Sequence, residues 1–100
     1  MRVTKDKRVD TLVQAILTLG NEEEVYAFFG DLCTPTELRS MGQRLAIAEA
    51  LRKKKTYDEI RDKYTVSSAT IARINGELQY GSGGYRTVLE RLAQEENSKK

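Results

Sequence analysis

A chain of 100 residues, 39% of them hydrophobic, can fold as one domain with a core of modest size. The formal net charge of +2 excludes a uniformly basic nucleic-acid binder, and one cysteine without any histidine excludes both an intrachain disulfide and a zinc site of cysteine and histidine. No signal peptide and no apolar stretch of membrane-spanning length is evident, so we expect a cytoplasmic protein without a membrane partner.

Two segments near the N-terminus carry apolar residues at helical spacing. In the first, over residues 8–19, they are Val9, Leu12, Val13, Ile16 and Leu17. In the second, which follows Gly20 and Asn21, they are Val25, Phe28, Phe29 and Leu32. Because both helices are strongly apolar for so small a chain, they are expected to supply a partner surface as well as an internal core. A small all-helical dimer follows from this pattern.

The third predicted helix has a clear start. Thr34 reads as its N-cap, Pro35 as its first residue and Glu37 as the partner that completes a capping box. Its apolar residues are Leu38, Met41, Leu45, Ala48 and Leu51. The helix is expected to end around Lys53–Lys55.

Residues 56–79 have the spacing of a helix-turn-helix. Thr56 with Glu59 forms a predicted capping box for a helix over roughly 57–64, and Ser67 caps a second helix that runs to about residue 79. The inward-facing residues, at spacings of three and four, are Ile60, Tyr64, Ile71, Ile74 and Leu78, with Val66 between the two helices.

In a helix-turn-helix, the N-terminal residues of the second helix enter the major groove. Small residues there allow close approach to base edges, and hydroxyl groups bond to bases or phosphates. The residues predicted to contact DNA are Arg61, Ser67, Ser68, Ala69, Thr70, Arg73, Lys54 and Lys55. The alternative is a helical hairpin that is packed only for stability.

The distribution of charge favours DNA contact. Residues 39–76 carry nine basic and four acidic side chains, a net +5; residues 1–38 carry four and seven, a net −3; and residues 77–100 carry four of each. A basic surplus over the motif is the footprint expected of phosphate contact. Lys53–Lys55 also suit the negative end of a helix, which is the alternative explanation.

A glycine-rich loop, Tyr80–Tyr85, separates the motif from a last helix over about 85–96. No Lys-Ser or Lys-Thr pair follows the loop and no strand precedes it, so a phosphate-binding P-loop is not expected. The last helix places Val88, Leu89 and Leu92 on one face. The whole chain is therefore predicted as one all-α domain over residues 1–100, with the N-terminal and C-terminal helices forming a dimer core.

The runs LCTPTE at 32–37 and GQRLAIAEAL at 42–51 precede ATIAR at 69–73 and the glycine loop. Together they resemble the Trp repressor superfamily, and more closely the YerC/YecD family of Trp-repressor-like proteins, over nearly the whole chain. The resemblance implies a six-helix, Trp-repressor-like fold. It also implies an intertwined homodimer whose two-fold symmetry matches a roughly palindromic DNA site.

The same resemblance suggests a candidate co-repressor site. Thr34, Arg44 and Arg73 match the threonine and the two arginines that surround tryptophan in the repressor. Ile74 replaces a glycine that leaves room for the indole ring, and Glu77 replaces a serine near the amino group of the ligand. The resemblance therefore implies a regulator that acts without tryptophan.

The resemblance also bears on DNA recognition. Ser68, Ala69 and Thr70 stand where the repressor approaches DNA, and Asp58 stands where it has a base-reading arginine. A carboxylate cannot donate to guanine, although it can accept from cytosine. The DNA sequence recognised is therefore expected to differ from that of the repressor.

Three functions remain open on the sequence alone. The leading hypothesis is a sequence-specific transcriptional regulator that binds double-stranded DNA as a homodimer. The alternatives are an amino-acid-dependent repressor and a protein-interaction module on the same fold, which Asp58 and Asp62 favour. An enzyme is not expected, because the carboxylates lie in capping boxes or on solvated faces and no histidine is available as a base. No cofactor is expected.

Overall fold

The computed structural model describes residues 6–98, which form six α-helices and no strand. The helices are α1 (Lys7–Leu17), α2 (Glu22–Leu32), α3 (Pro35–Arg52), α4 (Tyr57–Tyr64), α5 (Ser68–Tyr80) and α6 (Gly84–Ser98). This confirms the predicted all-α class. The first helix ends at Leu17 instead of near residue 19, because the backbone N–H of Thr18 turns back to the carbonyls of Ala15 and Ile16.

Polar side chains fix the helix N-termini where the sequence predicts. At α3, the Glu37 N–H donates to Thr34 Oγ1 at 3.1 Å, and the Thr34 N–H donates to Glu37 Oε1 at 2.7 Å. The bond from the Thr34 backbone lowers the pKa of Glu37 from its ordinary value, because it favours the ionised carboxylate. The capping box predicted at Thr34–Glu37 is thus confirmed.

The C-terminus of α3 turns through a residue in the left-handed region. Lys54 has a φ of 67°, and its N–H donates to the Leu51 carbonyl at 3.0 Å. The Lys55 N–H donates to the Ala50 carbonyl, also at 3.0 Å. This pair of bonds is a Schellman motif, which satisfies carbonyls that the end of a helix leaves without partners.

The chain divides into two compact units, one ending at Ser40 and one beginning at Met41. The C-terminal unit contains the buried core, which consists of Ile47, Ala48, Ile60, Ile71, Ile74, Leu78 and Leu89. Half-buried Tyr64 and Val66 pack against it, as expected for the helix-turn-helix. The core thus joins both helices of the motif to α3 and α6. On α6 only Leu89 is buried, whereas Val88 and Leu92 are exposed.

The N-terminal unit has no buried residue among residues 6–40. Phe28 and Phe29 make an edge-to-face pair, with ring centroids 5.4 Å apart. Leu17 and Tyr26 are each more than 70% exposed. The apolar pattern of α1 and α2 is therefore only partly covered within one chain.

Within residues 6–98, each helix is too short or too polar to cross a membrane.

The junction between α5 and α6 is held by hydrogen bonds to the backbone carbonyls at the end of α5. The Gly81 N–H donates to the Glu77 carbonyl at 2.9 Å, and Arg86 of α6 donates through Nε to the Leu78 carbonyl at 3.2 Å. A second guanidinium nitrogen of Arg86 donates to the Gln79 carbonyl. The glycine-rich loop is consequently a defined turn that fastens α6 to the end of α5.

Candidate nucleic-acid interface

The first helix of the motif begins with the capping box that the sequence predicts. The Glu59 N–H donates to Thr56 Oγ1 at 3.1 Å, and the Thr56 N–H donates to Glu59 Oε1 at 2.8 Å. The bond from the Thr56 backbone and, to a smaller extent, the charge of Lys55 lower the pKa of Glu59. Glu59 is therefore held as a carboxylate at the start of α4, and it is not a candidate acid or base.

The turn of the motif passes through Thr65, whose φ of 53° and ψ of 55° are left-handed. Its N–H closes α4 by donating to the Arg61 carbonyl at 2.9 Å. Glycine is frequent at this place in such motifs, because it adopts this conformation without a steric penalty. A β-branched threonine there is strained.

Replacement of Thr65 by glycine is expected to raise the free energy of unfolding by up to about 1.5 kcal/mol. The relief of left-handed strain, about 1–2 kcal/mol, is partly offset by the greater backbone freedom of glycine in the unfolded chain, about 0.5–1 kcal/mol. Urea titration monitored by circular dichroism measures the change. Thr65→Ala is the control, since alanine keeps the strained conformation; an equal gain from both variants would contradict this account.

The N-terminus of α5 presents small, capped residues. The hydroxyl of Ser67 accepts from the Thr70 N–H at 3.1 Å, which confirms Ser67 as the N-cap. Ser68 and Ala69 are exposed, and Thr70 is half-buried. Ile71 immediately after them is fully buried, so the exposed residues rest on a fixed part of the core. This end of α5 therefore offers short hydroxyl and methyl groups to a partner on a rigid support.

Arg61 connects the two helices of the motif. Its guanidinium donates to the carboxylate of Asp58, one turn earlier on α4, and to the hydroxyl of Ser68 at the start of α5. The sequence indicated Arg61 only as a DNA contact and did not reveal either partner. The spacing of three residues between Asp58 and Arg61 signals the ion pair, whereas the bond to Ser68 depends on how the turn folds.

The two lysines predicted to contact DNA lie in different places. Lys55 lines a cleft of about 350 Å³ between α3 and α4, together with Lys53, Lys63 and Tyr64. We call this the lysine cleft; within it, Lys63 Nζ lies 5.5 Å from the centroid of the Tyr64 ring. Lys54 instead lines a separate hollow with residues from the end of α5 and from α6, among them Gln79, Arg86 and Glu90. Both lysines are exposed, but only Lys55 lines a cleft together with residues of α4.

A second groove, of about 600 Å³, brings together two of the three residues proposed to hold a co-repressor. Arg44 and Arg73 line it with Glu77 and Tyr85, and Ile74 lies at its base with only 1% of its surface exposed. We call it the arginine groove. Its charged groups could pair with the carboxylate and the amino group of a zwitterion.

Thr34, the third residue of that set, belongs to the N-terminal unit. Its hydroxyl accepts from the Glu37 N–H as the cap of α3. This hydrogen bond gives Thr34 a structural role at the start of α3.

Potential metal ligands are not clustered in the part of the chain that the structure describes. Among residues 6–98, no group of three or more histidine, cysteine, aspartate or glutamate side chains is placed to hold a metal ion. Cys33, which follows α2, is half-buried and is a free thiol.

Comparison with known proteins assigns this geometry to a family. Residues 7–93 match the family described as Trp repressor protein. The chain is 41% identical to the uncharacterized protein YerC of Bacillus subtilis (strain 168) over 92 residues, which cover 92% of this chain and 88% of that protein.

Two crystal structures have the same fold. A protein of Staphylococcus aureus, described as a candidate Trp repressor, is 42% identical with a TM-score of 0.81 and coverage of 89% of both chains. A TrpR-like protein of Eubacterium eligens ATCC 27750 is 46% identical with a TM-score of 0.83, covering 89% of this chain and 92% of that one. The chain therefore belongs to the Trp repressor family, whose members are regulatory DNA-binding proteins with a helix-turn-helix and not enzymes.

Proposed function

We propose that this protein is a sequence-specific transcriptional regulator that binds double-stranded DNA as a homodimer and does not need tryptophan. The observation that carries the proposal is the exposed, capped N-terminus of α5, where Ser68 and Ala69 stand on the buried Ile71. In a helix-turn-helix this end of the second helix enters the major groove. Arg61, Ser67, Thr70, Arg73 and the basic residues of the lysine cleft complete the proposed contact surface.

The apolar residues of the N-terminal unit support a dimer. Those on α1 and α2 that remain at least 37% exposed in the single chain are Val13, Ile16, Leu17, Val25, Tyr26 and Leu32. Large apolar side chains left exposed on neighbouring positions of a helix favour an interaction site. A second copy of the chain is the proposed occupant of this surface.

Independence from tryptophan is supported by Ile74. Its side chain is almost fully buried in the core beneath the arginine groove, where the repressor has glycine. A branched side chain in this place takes space that an indole ring requires. Moving the Ile74 side chain aside would also open a cavity in the core, so accommodating an indole ring would cost stability.

The decisive experiment selects bound sequences from a random pool of DNA duplexes, with and without mixed amino acids. A palindrome enriched in both arms is the expected result, since the proposed dimer reads two half-sites without a ligand. If neither arm enriches a motif, sequence-specific DNA binding is abandoned, and a protein-interaction module on the same fold becomes the better account.

Arg73→Ala is expected to weaken DNA binding by roughly 1.5–3 kcal/mol for each charge-assisted hydrogen bond that the substitution removes. It is also expected to reduce the slope of log K against log salt by about 1 for each protomer, because fewer counterions are released. Fluorescence anisotropy at several salt concentrations measures both quantities. Arg91→Ala, which removes the same charge from an exposed position on α6, is the matched control. Equal effects from the two variants would argue against this contact surface.

Lys54 and Lys55 are expected to contribute unequally to DNA binding. Lys55 lies in the lysine cleft of the motif, whereas Lys54 lies beside the far end of α5, eleven residues and about 16 Å along the helix from Ser68. We propose both as phosphate contacts, with the larger contribution from Lys55.

A second candidate function is an amino-acid-dependent repressor. The observation that favours it is that Arg44, Arg73 and Glu77 line one groove, because two cations and a carboxylate complement an α-amino acid. Thr34 is the remaining residue proposed for this site. Enrichment of a palindrome only in the arm that contains amino acids would support this function, despite Ile74.

A further inference from the structure

The N-terminus of the recognition helix carries a negative group as well as its hydroxyls. Arg61 donates through Nη2 to Asp58 Oδ1 and through Nη1 to Ser68 Oγ. The Asp58 side chain is 82% exposed and that of Arg61 is 41% exposed. The carboxylate of Asp58 is consequently held one guanidinium group away from the first residue of α5, and it remains open to a partner.

This arrangement changes what Arg61 can do. With a carboxylate on one side of its guanidinium, the pair carries no net charge, so it contributes little to non-specific attraction by phosphates. An exposed carboxylate is itself repelled by phosphate oxygens. Any direct contact between this carboxylate and DNA must therefore be with a hydrogen-bond donor and not with a phosphate.

The base edges of the major groove offer few places for a carboxylate. Guanine presents two acceptors there, and thymine presents an acceptor and a methyl group. Adenine presents a donor beside the acceptor N7, which repels a second acceptor. Cytosine presents its N4 amino group without an adjacent acceptor. Of the four bases, cytosine is the one that best suits Asp58.

We propose that Asp58 determines sequence specificity by accepting a hydrogen bond from a cytosine in each half-site, and that Arg61 and Ser68 are the residues that position it. The inference rests on the proposed DNA-binding function. It assigns one base pair of the recognised sequence to Asp58. The hydrogen bonds of Arg61 to Asp58 and Ser68 then serve to orient the Asp58 carboxylate.

The test repeats the selection of duplexes with Asp58→Asn and with the control Asp62→Asn. Both substitutions remove one exposed negative charge from α4, so both are expected to raise affinity for random DNA by a similar factor. Asparagine pairs bidentately with adenine. Only Asp58→Asn is therefore expected to change a symmetric C·G position to A·T, and to lower the preference for the original sequence roughly tenfold or more.

The positioning residues are tested on Ser68. Ser68→Ala removes one partner of Arg61 and is expected to reduce the preference for cytosine at the same position. Ser68→Thr keeps a hydroxyl group and is expected to restore it. Thermal melting by circular dichroism confirms that each variant folds. A loss of selectivity confined to the C·G position assigned to Asp58, without a loss of helix content, is the signature of a positioning role, whereas a loss at other positions alone would contradict it.

The outcomes separate the two proposals. If the wild type selects a palindrome and Asp58→Asn selects the same palindrome with the same preference as Asp62→Asn, Asp58 does not read a base and this inference fails alone. If the wild type selects no motif, the proposed DNA-binding function and this inference fail together. Asp58→Ala is the second variant, for which the C·G position is expected to lose its preference without gaining another.

Discussion

Replacing Ile71 by alanine is expected to lower the free energy of unfolding by about 2–5 kcal/mol, the range for large-to-small changes in a close-packed core. Ile71 has no exposed surface and belongs to the core that unites α3, α4, α5 and α6. The smaller side chain reduces apolar burial and leaves a cavity. For a domain with a total stability of about 5–15 kcal/mol, such a loss is large.

Urea titration at a fixed protein concentration measures this effect, because the stability of the proposed dimer depends on concentration. Tyr80→Ala on the same helix is the control, since Tyr80 is 85% exposed and surface substitutions usually change stability by less than about 0.5 kcal/mol. Similar losses from both variants would show that Ile71 is not part of a packed core. Weaker DNA binding is also expected for Ile71→Ala, because Ser68 and Ala69 depend on it for their support.

The motif could be predicted closely because its signals are local. Thr56, Glu59 and Ser67 each bond to a backbone group within three residues, so residue type and spacing suffice. The isoleucines at 60, 71 and 74 follow the helical period, and each is buried. Local hydrogen bonds and periodic burial are the features that a single sequence reveals best.

The candidate site was harder to predict, because it depends on how separate segments meet. Adjacent lysines at 54 and 55 diverge, since Lys54 adopts the left-handed conformation that ends the Schellman turn of α3. Neither composition nor charge reveals this divergence. The bond from Arg61 to Ser68 spans the turn, and it exists only because Thr65 brings the two helices together at this angle.

The N-terminal helices show a different limit. Their apolar periodicity predicted faces to be covered, and the helices are present, yet no residue of α1 or α2 is buried in the single chain. Periodicity indicates that a face will be covered, but it does not indicate whether the cover comes from the same chain or from another. The homodimer is the proposal that resolves this ambiguity.

Replacing Gly81 in the glycine-rich loop by alanine is expected to lower the free energy of unfolding by about 1–3 kcal/mol. The backbone of Gly81 is ordinary, with a φ of −78°, so conformational freedom is not the reason for glycine here. The reason is space, because a Cβ atom would lie 2.4 Å from the carbonyl oxygen of Glu77, which accepts the N–H of Gly81. Relief of that clash requires a shift of the backbone that joins α5 to α6.

Gly84→Ala is the matched control for this loop. A Cβ on Gly84, the first residue of α6, meets nothing closer than the Ser82 hydroxyl at 4.0 Å, so alanine is expected to be neutral or to stabilise by about 0.4–1 kcal/mol. Thermal and urea unfolding of both variants give the comparison. Equal stabilities of the two variants would mean that the loop backbone shifts to accommodate the added methyl group at little cost in free energy. A loss of stability in Gly81→Ala but not in Gly84→Ala would show that the loop backbone cannot shift without cost, and that glycine is required at position 81 by the close approach of Glu77.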